Sequence, residues 1–162
     1  MAMTCHILPY KLELLPAFQK LNRIWIARYF KVEPEDEREL AQAQSLLVEA
    51  GGQIFFACED ADCHDPDAVL GCVGVYRREE DFYEIIKLAV ADNAQGLGLG
   101  RKLMQAAIEF IAAQGASRAI ILSSRSLSPA MGLYTAMGFY EVDLGYKHLF
   151  ERCNIELVLP LN

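Results

Sequence analysis

The sequence predicts one mixed α/β domain spanning residues 1–162, and three observations carry that reading. Segments whose apolar residues recur at helical spacing are interleaved with short apolar runs of strand length. A chain of 162 residues suits a single domain with a sizeable core. The composition, 53% hydrophobic and 23% charged, is ordinary for a folded chain in water.

Residues 4–10 read as an edge strand or an irregular start. Pro16 sits where a first helical turn tolerates proline, and Phe18, Leu21 and Trp25 continue at helical spacing to about Phe30. A second helix is expected from Pro34, with Glu35, Asp36 and Glu37 at its positive end, closing by Gly51-Gly52. Gln53 to Cys58, Val69 to Tyr76 and Glu84 to Val90 read as three strands. The first two are parted by the acidic, Pro66-containing stretch Glu59 to Asp67, and the last two by the turn-like Arg78 to Asp81. From Leu99 to Ala113 the period turns helical: Leu99, Leu103, Ala106, Ala107 and Phe110 form one apolar face, and Gly115 marks its stop. Ala119 to Leu122 reads as a buried strand, Pro129 to Met137 as a short helix ending at Gly138, and Phe139 to Leu144 and Ile155 to Leu159 as closing strands.

Bulk properties narrow the function. A formal charge of -7 argues against a general nucleic-acid binder, which carries a basic face. No run approaches the ~20 apolar residues of a membrane span. Met1 to Tyr10 lacks the basic region and apolar stretch of a signal peptide, so a cytoplasmic location is expected. Cys5, Cys58, Cys63, Cys72 and Cys153 are scattered, odd in number and form no Cys-x-x-Cys pair, which predicts reduced structural thiols. With His6, His64 and His148 they form no metal-ligand pattern, and no metal is expected.

The most informative stretch is Val90-Ala91-Asp92-Asn93-Ala94-Gln95-Gly96-Leu97-Gly98-Leu99-Gly100-Arg101, between a strand and an amphipathic helix. Alternating glycines let the backbone approach a ligand and adopt conformations closed to other residues. A helix N-terminus offers free N–H groups and a positive dipole end. Together they form an anion cradle suited to a pyrophosphate, with Arg101 and Lys102 as nearby cations. Three glycines that merely shaped a turn would cost chain entropy without a packing gain. A dinucleotide fingerprint fails because Arg101 stands where its third glycine belongs, and a P-loop fails at the same residue.

Gln95-Gly96-Leu97-Gly98-Leu99-Gly100 resembles the Gln/Arg-x-x-Gly-x-Gly/Ala pattern with which the GNAT superfamily of N-acetyltransferases holds the pyrophosphate of acetyl-CoA. Glu84-Ile85-Ile86-Lys87-Leu88-Ala89-Val90 is similar to that family's fourth strand. Leu133-Tyr134-Thr135-Ala136-Met137-Gly138-Phe139 is similar to its Leu-Tyr-x-x-x-Gly-Phe block, and Leu21 to Phe30 resembles the opening of bacterial members. The resemblance implies the family's fold, a mostly antiparallel central sheet with a splayed parallel strand pair, flanked by helices.

It also implies acetyl-CoA as cosubstrate, without a metal, held by Leu88, Ala89 and Val90 at the strand end. The turn and helix start, Gln95, Gly96, Leu97, Gly98, Leu99, Gly100, Arg101 and Lys102, complete that site. Glu84 stands where the family often carries a general base, Tyr134 where it carries the acid that protonates the departing thiolate, and Val90 where a backbone N–H faces the acetyl carbonyl. Glu84 reads equally as a solvated residue at a strand start, and Tyr134 also as a packing tyrosine. Where many members carry an asparagine ahead of the later helix, this chain has Leu127, flanked by Ser126 and Ser128.

The acceptor implied is an amine-bearing small molecule or peptide, with Trp25, Arg28, Tyr29 and Phe30 as candidate walls and Tyr146, Lys147 and His148 in a late loop beside them. Neither nucleic acid nor membrane is an expected partner, and a homodimer is plausible from the resemblance. Two non-enzymatic readings stand beside this one: a catalytically silent acyl-CoA-binding sensor, and an interaction module that binds no cofactor.

Overall fold

A computed structural model describes residues 4–79, 81–143 and 150–161. Strand β1 (His6–Leu8) leads through a 3₁₀ turn to helix α1 (Leu15–Tyr29). Pro16 lies in the first turn of α1, and Phe18, Asn22 and Ile26 repeat every four residues along its buried face. Helix α2 (Pro34–Ala41) opens with a reciprocal capping box: Glu33 accepts from the backbone of the first turn, and Asp36 accepts from the Glu33 N–H at 2.9 Å. The sequence predicts this helix to run on to Gly51-Gly52. Instead it stops at Ala41, and Gln44–Val48 form a wider π-helical turn. That turn keeps Ala43 and Leu47 in the core, so packing overrides the uniform α period.

Strands β2 (Gln53–Cys58), β3 (Val69–Arg77) and β4 (Phe82–Val90) form an antiparallel meander, followed by helix α3 (Leu99–Ala113) and strand β5 (Arg118–Ser123). Helix α4 (Ser128–Ala136) and strands β6 (Tyr140–Val142) and β7 (Ile155–Pro160) close the chain. The seven strands make one sheet in the order β1-β2-β3-β4-β5-β7-β6. Every pairing is antiparallel except β4 with β5. Leu103, Met104, Ala107 and Ile111 of α3 pack with Tyr134 of α4 in one core, and Phe18 of α1 and Leu40 of α2 pack in a second. Both cores receive sheet residues, and fully burying a side chain such as Phe18 contributes roughly 1.5–3 kcal/mol. Among the described residues no helix is long and apolar enough to cross a membrane.

Two irregularities of β4 create the space for a site. Its parallel pairing with β5 covers only Phe82↔Arg118, Tyr83↔Ala119 and Glu84↔Ile120, after which the two strands diverge. On the other edge, Cys72 faces Ala89 but Gly74 faces Ile86, so β4 carries one extra residue at Lys87–Leu88. Lys87 is the one non-glycine residue with positive φ, +57°, among the described residues.

Candidate active site

The divergence of β4 and β5 opens a cavity of about 200 Å³. Glu84, Lys87, Leu88 and Val90 line it from β4, and Ile121 and Ser123 line it from β5. Trp25 and Ile26 of α1 and the Phe30 that follows it close one side, Leu127, Ala130 and Tyr134 another, and Phe150, Arg152 and Cys153 a third. Sites at topological breaks of a sheet are common because strand edges there have no neighbour to satisfy.

The bulge sets which backbone groups enter the gap. Ala91 N–H donates to Leu70 O at 2.8 Å, so the Ala91 backbone faces β3. Successive residues of an antiparallel strand turn their N–H and C=O to opposite edges. Val90, opposite Gly71, therefore turns both groups towards the gap, and its carbonyl accepts from Gln95 Nε2 at 2.9 Å. Leu88 shares that orientation and lines the cavity, whereas Ala89 is buried in the core beneath α1 and does not.

At the rim, a 3₁₀ turn at Asp92–Ala94 leads into the glycine turn. Gly96 and Gly98 have φ of +79° and +75°, and a Cβ built on either meets nothing within 4 Å. The left-handed backbone, not crowding, is what requires glycine here, and the space above it is open. Gly98 precedes α3 and provides no side-chain cap, so the first N–H groups of that helix face outward. Gln95, Leu97, Arg101 and Lys102 are exposed, and Leu99 lies in the core, able to offer only its backbone. Nearby, Arg28 forks onto Asp92 at 2.6 and 2.7 Å, pinning the end of α1 to this turn. An uncapped helix end with open space over two left-handed glycines fits a pyrophosphate.

At the other end of the cavity lies Glu84, 3% exposed. Its Oε1 accepts from Arg78 Nε at 2.8 Å and lies 2.7 Å from a second guanidinium nitrogen. Burial dominates the carboxyl, pushing it up to about 7 against the opposing pull of Arg78. Tyr134 is buried, edge-on to Phe139 at 6.2 Å, and burial pushes its phenol up to about 12. It is therefore a protonated donor at neutral pH.

Sequence reasoning missed the ionic cluster around Glu84. Lys87 Nζ lies 2.7 Å from Asp36 and 3.1 Å from Glu39. Arg152 spans Glu33 at 3.0 Å and Asp36 at 2.8 and 2.6 Å, over the ring of Phe150. The signal available was the spacing of Glu33, Asp36 and Glu39, which places three acids on one helical face rather than merely at a favourable end. Ser124 was missed as well. Its hydroxyl is 2.8 Å from that of Ser126 and lines the cavity beside Leu127, where the family asparagine is absent. Of the candidate walls, Trp25 and Phe30 line the cavity. Arg28 is engaged with Asp92, and Tyr29 is half exposed against Trp25. Tyr146, Lys147 and His148 lie outside the described residues.

Comparison with known proteins agrees with this geometry. The acetyltransferase (GNAT) family matches residues 18–139. Human N-acetyltransferase 8B is 25% identical over 150 residues, covering 90% of this chain and 63% of that protein, so the chain spans less than two thirds of its curated relative. A GNAT-family acetyltransferase from Staphylococcus aureus Mu50 shares the fold with a TM-score of 0.85 at 17% identity, over 98% of this chain and 100% of that one. One from Streptococcus agalactiae gives 0.81 at 18%, over 97% and 98%. A Salmonella typhimurium structure that contains acetyl-CoA as cofactor gives 0.72 at 18%, over 98% and 95%.

Proposed function

The chain belongs to the GNAT family of acetyltransferases, and on that premise we propose that it is an N-acetyltransferase moving the acetyl group of acetyl-CoA directly to an amine in a ternary complex. The observation that carries the proposal is the joining, by one sheet irregularity, of an open anion cradle to a buried carboxyl and a buried phenol. Acetyl-CoA supplies a thioester, an acyl group already activated towards attack.

The backbone N–H groups at Gly96 to Arg101 hold the pyrophosphate, with Arg101 and Lys102 adding positive charge. An acceptor amine with a pKa of about 10.4 reaches the site as an ammonium ion, and leaving it neutral near pH 7 costs roughly 4–5 kcal/mol. Glu84 relieves part of that cost by taking the proton, directly or through water. A carboxyl near 7 is a far better base at neutral pH than a surface carboxyl near 4.5. The Val90 N–H, turned into the gap, donates to the carbonyl oxygen where negative charge develops. Tyr134, with its proton retained up to about 12, delivers that proton to the departing sulfur. The five unpaired cysteines suit a reducing compartment such as the cytosol.

The test begins with thermal stability against acetyl-CoA, with AMP and NAD as controls. At a hundredfold excess over Kd the site contributes about 2.7 kcal/mol, a rise of roughly 5–11 °C for a domain of this size. An amine library is then scored for released thiol. Well-folded protein that ignores millimolar acetyl-CoA would overturn the proposal.

A further inference from the structure

The Glu84 end of the cavity is bordered by a cluster of buried carboxyls and the cations paired with them. Glu33, Asp36, Glu39 and Glu84 are all buried, and among the described residues the cations paired with them are Arg78, Lys87 and Arg152. Each cation is already engaged. Arg152 forks onto Asp36 and reaches Glu33, Lys87 bridges Asp36 and Glu39, and Arg78 sits on Glu84 with Glu39 at 3.8 Å.

Glu39 is left short. It is 2% exposed and lines the cavity. Its Oε1 is 3.1 Å from the Lys87 ammonium, yet receives no well-directed hydrogen bond among the described residues. A buried carboxylate accepts several hydrogen bonds, and an unmet one is costly. The cavity wall is apolar on one side: Trp25 and Ile26 from α1, Phe30 just past its end, and Phe150. At about 200 Å³ the space is below the roughly 300–1,000 Å³ of sites for drug-sized ligands.

We propose that the acceptor is a small primary amine on an apolar body, without a carboxylate beside its nitrogen, and that Glu39 binds its ammonium group at the floor of the cavity. This rests on the acetyl-transfer reading above. The ammonium meets a carboxyl that lines the cavity and is the least well hydrogen-bonded of the buried acids among the described residues. An amino acid would bring a further negative charge to a place where no cation is free among the described residues to meet it.

The probes are 2-phenylethylamine, phenylalanine and the peptide amide Ala-Ala-NH₂. Their binding is measured by calorimetry with CoA present, so that no turnover is needed. Phenylethylamine is expected to bind at least tenfold more tightly than phenylalanine, and Glu39→Gln to lose about tenfold affinity for it. The thermal shift with acetyl-CoA, unchanged in the variant, shows that the variant is folded. Equal or tighter binding of phenylalanine by the wild type overturns the assignment without any variant. So does undiminished amine binding by a folded Glu39→Gln, and tighter binding of Ala-Ala-NH₂ would give the site to chain termini instead. Failure of the acetyl-transfer reading looks different: no acetyl-CoA shift, and no thiol released with any amine.

Discussion

If Glu84 is the base, the pH profile of kcat/KM reports it. Burial raises its carboxyl from an ordinary 4.5 to about 7, which costs the ionised form about 3 kcal/mol. Between pH 8 and pH 6 the ionised fraction falls from about nine tenths to about one tenth, so wild-type kcat/KM should fall roughly tenfold. Above that limb the rate should not fall as the acceptor itself becomes neutral near 10, since the neutral amine is the attacking species. Glu84→Gln removes the base but keeps the side-chain shape. At pH 7.5 the loss should be about 10²–10⁴-fold, and the remaining activity should require amine that is already neutral, climbing with pH towards about 10. The assay is thiol release at saturating acetyl-CoA, with the amine varied at each pH. A Glu84→Gln enzyme that keeps a limb near 7 refutes the assignment, because the group titrating there would then be another.

The same carboxyl predicts a stability signature. Its pKa is higher folded than unfolded, so the folded chain holds an extra proton between about 4.5 and 7, and Glu84's contribution is lost as pH rises through that window. Denaturant titrations should show Glu84→Gln gaining up to about 3 kcal/mol on the wild type between pH 4 and pH 8. Tyr134→Phe should lower kcat by about 10²-fold or more and leave the KM for acetyl-CoA within a fewfold; an unchanged kcat removes Tyr134 from the mechanism. Gly98→Ala meets no steric obstacle but must hold φ at +75°. It should cost about 1–2 kcal/mol of stability, read in denaturant titrations, and weaken the acetyl-CoA shift beyond that loss. Lys87→Met leaves Asp36 and Glu39 undercompensated in a buried cluster and should destabilise by about 3–5 kcal/mol.

Much of the fold was legible because it is written in periodicity. Strand β2 and helix α3 fall on the predicted residues Gln53–Cys58 and Leu99–Ala113, since strict apolar spacing and flanking glycines leave few alternatives. The glycine turn was legible too, because left-handed backbone restricts the residue type directly. The acid cluster was not. Asp36 meets Lys87 and Arg152 across separations of 51 and 116 residues, and a charged residue inside the core has the same letter as one on the surface. Nor did the sequence reveal the end of α2, where a π turn serves the core rather than local propensity.

The bulge at Lys87–Leu88 links these two levels, and nothing about its residue types announces it. Without the extra residue, strict alternation along β4 would turn the Ala89 N–H to the gap and give the Val90 N–H to β3. The insertion also carries the Lys87 ammonium into the acid cluster, where its ion pairs with Asp36 and Glu39 offset the strain of a left-handed lysine. One inserted residue thus aims a backbone donor at the rim side and supplies a cation at the floor. The cluster that receives this lysine also surrounds Glu84, and Glu39 and Lys87 push its carboxyl in opposite directions, upward and downward. The backbone geometry of β4 and the basicity of Glu84 are therefore coupled. A substitution at Lys87 should move the acidic limb of the pH profile upward even in protein that remains folded, because it removes a nearby positive charge that favours the ionised carboxyl.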